Sequence, residues 1–236
     1  SRFWVSLPLV GLAWLFSGAL GFALGVVAGA SSGTLLDRAI RIYAYVLASA
    51  PTFWIAILLL IIFAVQLGWA PVCCAGPLGV VPDDVTFADR LRHLALPLAA
   101  LTLFGVAQIA LHTRAKIIEI LQGDAALYAR AQGAGKWDVA LRHGARNAAL
   151  PAVTILFASL GELFGGSILA EQVFAYPGLG QAAVSAGIKG DVPLLLAVTI
   201  FLTLFVSVGN MIADMLYRLV DPRLRDEALS AGGQHG

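Results

Sequence analysis

Charged residues fall along this chain in bursts, and the apolar stretches between them set the architecture. No Asp, Glu, Lys or Arg occurs in residues 3–36, 42–82 or 93–113. A helix crosses the hydrocarbon of a bilayer in about 20 apolar residues, so these gaps predict spans near 4–29, 43–69 and 93–113. A fourth span is predicted over 147–170, interrupted by the single acid Glu162, and a fifth over 192–213. The pattern is that of an all-α, multispanning membrane protein with five spans. Gly21, Gly25 and Gly29 recur every four residues, as do Gly161 and Gly165. Positions without side chains at that spacing let two helix backbones approach closely in lipid. Pro51, Pro97, Pro151 and Pro193 are expected at or near span starts, where a missing N–H costs little.

Composition agrees and narrows the function classes. Of 236 residues, 59% are hydrophobic and 12% charged, and mean hydropathy is +0.86. That is about half the charge of a typical soluble domain, too little to clothe a core of this size in water. A net charge of +1 gives no bulk signal for nucleic acid. Two cysteines exclude a disulfide scaffold.

The cations are sorted by side. Arg38, Arg41, Arg114, Lys116, Arg130, Lys136, Arg142, Arg146, Arg218, Arg223 and Arg225 fall in the even-numbered connections and the tail. Arg2, Arg90, Arg92 and Lys189 fall on the other side. The positive-inside rule then predicts a cytoplasmic C-terminus and an external N-terminus. An external start at Ser1, with no signal peptide, carries the expectation that something precedes this chain, as in a processed or truncated product.

The connection 114–151 is too long for a hairpin and too patterned for a linker. Asp124 is expected to cap a short helix running to about Gln132, with Gly133 and Gly135 breaking it. A second helix from about Lys136 to Ala149 would carry Arg142, His143 and Arg146 before Leu150-Pro151 opens the fourth span. The result is a short helix lying crosswise beneath the membrane, either an interfacial amphipathic helix or a docking element for a cytoplasmic partner.

In this loop the chain resembles the permease subunits of ABC importers, in their dipeptide/oligopeptide/nickel branch. The resemblance is carried by Tyr128-Ala129-Arg130-Ala131-Gln132-Gly133, then Arg142-His143 and Arg146-Asn147-Ala148-Ala149-Leu150-Pro151, with 16 residues between Gly133 and Leu150. The acidic residue that opens the family's generic loop motif has no counterpart, since position 127 is Leu. Glu171-Gln172-Val173-Phe174-Ala175-Tyr176-Pro177-Gly178-Leu179-Gly180 is similar to the family's external segment before the last span. Asp221-Pro222-Arg223-Leu224-Arg225 is similar to its ending, and Asp89-Arg90-Leu91-Arg92-His93-Leu94 with Pro97 fits the start of the third span.

The resemblance implies a type I ABC importer transmembrane-domain fold, of which five spans are seen here where the family usually has six. It implies one permease domain over 1–225 with a flexible cytoplasmic tail at 226–236, in the inner or plasma membrane of a prokaryote. It also implies partners: cytoplasmic ATP-binding subunits, a second, different permease forming a heterodimer, an extracytoplasmic substrate-binding protein, and membrane lipid, with no cofactor. Peptides or nickel and other metal chelates are the implied cargo. The chain is then no enzyme itself, and no G-x-x-x-x-G-K-[ST] phosphate-binding loop occurs in it. Residues 124–138 become a coupling helix, with Asp124, Ala129, Arg130, Ala131, Gly133 and Lys136 meeting the ATPase.

Polar residues inside spans are functional candidates, since a charge at bilayer depth costs about 2.5–3.5 kcal/mol on insertion scales. Glu162 is expected to face the bundle interior, either lining the pathway or bonding Ser159 or Ser167. Asn210 and Asp214, four residues apart, are expected to fix helix packing or pair with Arg218. Cys73-Cys74 admits a soft-metal or a ring-disulfide reading, neither favoured by geometry, and His93, His112 and His143 are too dispersed for a metal site. An ion-coupled secondary transporter is the alternative class. It would call for an internal repeat and intramembrane charges, and no convincing repeat is present.

Overall fold

The computed structural model describes residues 2–77, 79–80 and 84–220, with side chains through Met215. Ten α-helices make up the described chain: α1 (Phe3–Ala30), α2 (Leu35–Ser49), α3 (Thr52–Leu59), α4 (Phe87–Gln122), α5 (Asp124–Ala131), α6 (Lys136–Val139), α7 (Ala145–Ala158), α8 (Leu160–Val173), α9 (Leu179–Lys189) and α10 (Val192–Val220). Two stretches of wider π-helix extend them, Leu60–Gln66 after α3 and Ala140–Gly144 between α6 and α7. The expected ending at Asp221–Arg225 and the tail at 226–236 lie outside the described residues.

Among the described residues, three helices are long and apolar enough to cross a membrane alone: Phe3–Ala30, Phe87–Gln122 and Val192–Met215. Two further crossings are bent. Lys136–Ala158 meets Leu160–Val173 at 48°, and Leu35–Ser49 meets Thr52–Gln66 at 106°. The straight span expected over 43–69 is therefore two elements. Residue 50 sits extended before Pro51, where the proline ring disfavours helical backbone. The helix expected from Lys136 to Ala149 runs on to Ala158, and its break falls at Ser159. Pro97 and Pro151 lie inside helices rather than at their starts, because α4 and α6 begin before the charge-free segments do. Pro51 and Pro193 flank helix starts as expected.

The α1–α4 pair is the spine, and the glycine repeat builds it. The two helices run in the same direction, and Gly21, Gly25 and Gly29 meet Ile109, Thr113 and Ile117 in turn. A Cβ on Gly25 would stand 2.5 Å from the Thr113 Cβ and 2.7 Å from the Ala110 carbonyl oxygen. Ser17 extends the seam by donating to the Thr102 carbonyl at 3.1 Å. The second repeat behaves differently. A Cβ on Gly161 would only graze Val206 at 3.4 Å, and one on Gly165 would meet nothing within 4 Å. Gly161 and Gly165 leave an open face where close packing was expected.

Apolar clusters lock the spine to the rest. Leu9, Ala13, Ala56, Leu101, Ala170 and Phe174 form one near the α9 end. Ile117, Leu121, Ala126, Val139, Ala140 and Ala148 form another at the α5 end. The second cluster fixes the position of the functional loop.

Candidate coupling and pathway site

The loop hangs from the end of α4 on backbone geometry. Gly123 is extended (φ −75°, ψ 162°) and stands before the first turn of α5, its carbonyl accepting from the Ala126 and Leu127 amides. It takes the N-cap position expected of Asp124, which is the first helical residue and makes no side-chain cap. Its charge still favours the helix N-terminus. The coupling element expected over 124–138 is two pieces, α5 and the start of α6, parted at Gln132–Gly135. Gly133 makes that break with φ +93°, a left-handed conformation that glycine adopts without steric cost. The Gly133 amide donates to the Arg130 carbonyl and the Ala134 amide to that of Ala129, closing the helix end.

One side of α5 is anchored and the other is bare. Ala126 is buried against Leu121 and Val139, with Ala129 half-buried beside it. Leu127 and Tyr128 are 55% and 68% exposed. Asp124, Arg130, Ala131, Gly133 and Lys136 are exposed too, as is Trp137. Arg130 also has an internal role, donating to the Leu121 carbonyl at 3.1 Å and so capping the end of α4. The Asp138–Arg142 pair at 2.8 Å stiffens the outer face of α6.

Two buried acids, neither singled out from sequence, hold the ends of the bundle. Asp37, 1% exposed, accepts two bonds from the Arg114 guanidinium, at 2.5 and 2.9 Å. It also accepts the Gly33 amide at 3.0 Å, with Arg41 3.6 Å away. This fork ties the α1–α2 corner to α4 shortly before the loop. A signal was available, since Asp37 is the first acid in the chain and the next is Asp83. An acid so isolated in apolar sequence requires a cation.

Glu171, fully buried, does the equivalent work at the opposite end. Its carboxylate accepts from the Ser6 hydroxyl at 2.5 Å and the Gln181 amide at 3.1 Å. The Ser6 oxygen in turn accepts from the Leu179 amide at 2.7 Å. Orphan amides at the start of α9 are thereby satisfied by a residue of α8 and one of α1. Gly178 and Gly180 are required beside this carboxylate, since a Cβ on Gly180 would stand 2.5 Å from the Ile168 Cα. Burial, and then the Glu171 charge, push the Tyr176 phenol above its ordinary range. Replacing Ser6 by Ala should cost about 1–2 kcal/mol, the penalty for unsatisfying buried groups. Thermal denaturation of the purified protein in detergent measures it, and an unchanged midpoint would contradict the assigned bridge.

Glu162 lies on the open glycine face rather than in the bundle interior. Its carboxylate accepts from the Gln108 amide of α4 at 2.8 Å. Ser159 and Ser167, its expected partners, donate instead to the carbonyls of Leu156 and Phe164. Cys73 and Cys74 are joined in a disulfide. Cys74 has φ +77°, and its amide donates to the Phe174 carbonyl at 2.9 Å, tying the 67–77 loop to the corner after α8.

Residues 21–226 match the family described as binding-protein-dependent transport system inner membrane component. The oligopeptide transport system permease protein AppB of Bacillus subtilis is 33% identical over 87% of this chain and 64% of its own length. A putative peptide transport system permease protein of Brucella abortus is 36% identical over 94% of this chain and 69% of its own. The di/tripeptide transport system permease protein DppB of Pseudomonas aeruginosa is 32% identical, with coverages of 91% and 68%. The chain thus spans about two thirds of the length of these relatives. Among solved structures, a chain of the MetNI methionine ABC transporter in an inward-facing conformation superposes with a TM-score of 0.71 at 19% identity, covering 92% of this chain and 94% of that one. An amino acid ABC transporter chain gives 0.64 at 17%, covering 92% of each. These two establish the fold as that of an ABC importer transmembrane domain. With the family match spanning most of the sequence, the chain belongs to the binding-protein-dependent transport system inner membrane components.

Proposed function

We propose that this chain is the permease subunit of an ABC importer for peptides, moving cargo on energy supplied by separate cytoplasmic ATPases. The observation that carries this is α5, a short helix with a bare outer face on a rigid mount. Ala126 and Arg130 hold it to α4, and the Asp37–Arg114 fork holds α4 to α2. A push on Leu127, Tyr128 and the exposed Asp124, Ala131, Gly133 and Lys136 would reach the spans rather than dissipate in a loop, because closely packed elements transmit displacement. The family relation supports the division of labour, and the relatives named for peptide transport support the cargo. A second permease, a heterodimeric pairing and an external binding protein complete the working unit. The C-terminus is read as cytoplasmic from the Lys/Arg bias.

Glu162, on an open face at membrane depth, is the pathway candidate within this reading. The test is reconstitution. Uptake of a radiolabelled tripeptide into proteoliposomes should require ATP and the co-purifying ATP-binding subunits. Equal uptake driven by a proton or sodium gradient without those subunits would return the chain to the secondary-transporter class.

A further inference from the structure

We infer that one polar sector of α10, together with the Gln108–Glu162 pair, forms the wetted wall of the translocation pathway and contacts the main chain of the cargo. The inference rests on the permease reading above and adds to it a surface and a chemistry. At about 100° per residue, α10 resolves into three arcs. Val198, Gly209 and Ala213, all buried, share the arc that packs on α7 and α8. Ile200, Leu204, Val208, Met211 and Met215 share a second, wholly apolar and exposed. Thr199, Thr203, Ser207, Asn210 and Asp214 fall within a third, about 80° wide, and every one of them is exposed, with Val192 and Leu196 in the first two turns the apolar residues on the same arc.

The second arc suits lipid and the third does not. Thr199 and Thr203 soften the mismatch by donating to the carbonyls four residues back, each at 2.8 Å. Asn210 and Asp214 make no such bond among the described residues, and an amide or carboxylate against hydrocarbon costs several kcal/mol. From sequence, Asn210 and Asp214 were expected to fix helix packing or pair with Arg218. The packed arc of α10 is elsewhere, and the Arg218 side chain lies outside the described residues.

The seam between α8 and α10 shows where this arc points. Phe164 meets Phe205 edge to face, with ring centroids 5.0 Å apart, on the side where Val10 and Trp14 of α1 also line the groove. Gly161 meets Val206, about 100° round α10 from Phe205. Continuing round from that contact, α8 presents Gly165 and then Glu162, while α10 presents Thr199, Asn210 and Thr203. The polar arc, the open glycines and the Gln108–Glu162 pair therefore border one channel-like face. Its hydroxyls and carboxamides exchange hydrogen bonds with peptide N–H and C=O groups whatever the side chains, which suits passage of many sequences.

Both cysteines of the chain are tied up in the disulfide, so a single introduced Cys is the chain's one reactive thiol. Thr203→Cys, Ser207→Cys, Leu204→Cys and Val208→Cys would be made in the complex assembled with its second permease and ATPases. Each would be treated with a charged, membrane-impermeant methanethiosulfonate without reductant. Residues 203 and 204 share one depth, as do 207 and 208, so only azimuth differs. Because the hydrated thiolate is the reacting species, Thr203→Cys and Ser207→Cys should label at least about tenfold faster than the other two. Equal, slow labelling of all four overturns the inference, as does cross-linking of positions 203 and 207 to the second permease in place of labelling. ATP-dependent trialanine uptake by the unsubstituted complex scores the permease reading separately. Uptake without the labelling contrast sinks the wall alone, and labelling contrast without ATP-dependent uptake sinks the permease assignment.

Discussion

Replacing Gly133 by Asp is expected to abolish ATP-driven uptake while leaving the protein folded and in the membrane. The fold should survive because nothing lies within 4 Å of the position a Cβ would take, and the residue is exposed. The left-handed backbone there (φ +93°) charges a non-glycine residue about 1–2 kcal/mol, least for Asn and Asp. The damage falls on docking. Gly133 sits between Arg130 and Lys136, cations that suit an acidic groove on the ATPase, and a carboxylate placed there adds both bulk and like-charge repulsion. Gly133→Ala separates the two causes. It carries the backbone cost without the charge and should retain most of the uptake. The decisive measurement is substrate-stimulated ATP hydrolysis by the assembled complex. Normal stimulation in Gly133→Asp would remove this loop from the coupling route.

Asp37→Ala should produce the largest loss of stability. It strands the Arg114 guanidinium, and breaking a buried ion pair costs about 3–5 kcal/mol. Arg114 keeps a side-chain exposure of 21%, so water recovers part of its solvation and the low end of that range, about 3 kcal/mol, is expected. Removing both partners should be milder than the two single losses added together, since Asp37→Ala/Arg114→Met leaves only the part-exposed Arg41 without its acid. Thermal denaturation of the four proteins in one detergent completes the cycle. Strict additivity would show that the fork contributes nothing beyond its parts. Uptake should fall further than stability alone explains, because the fork mounts the segment of α4 from which α5 hangs.

What was legible in the sequence was whatever a single helix can display by itself. The four-residue repeat of Gly21, Gly25 and Gly29 is a local signal, and it found its partner helix. The same spacing at Gly161 and Gly165 was equally visible and did not pack, since only a facing helix decides whether small residues are filled or left open. The break at Gly133 was readable from glycine's backbone freedom. The N-cap was not, because Asp124 and Gly123 are adjacent and the extended backbone of Gly123 decided which of them stands outside the helix.

Glu171 and Asp37 escaped because their partners are remote. Ser6 lies 165 residues from Glu171, and Arg114 lies 77 from Asp37. Charge gaps located the apolar segments but could not register the turn at Ala50–Pro51 or the break at Ser159, where the chain bends without changing composition. The face taken by Glu162 depended on Gln108 of another helix, and no periodicity within 147–170 encodes that.

The glycine seam between α1 and α4 has a mechanical consequence. Long side chains that interdigitate can change rotamer and let two helices slide, whereas a Cβ branch seated on a glycine backbone has no rotamer that moves it away. From Gly21 to Gly29 a relative shift drives the branched Cβ groups of Ile109, Thr113 and Ile117 and the carbonyls beside them into the α1 backbone, so α1 and α4 resist sliding past each other. A displacement entering through α5 at Gly123, as the proposed coupling requires, would then be carried by α4 and α1 together rather than by α4 alone. Compliance is left to the joints that lack such a seam, the bend after Ser49 and the break at Ser159, and these are where the proposed transport cycle is expected to flex.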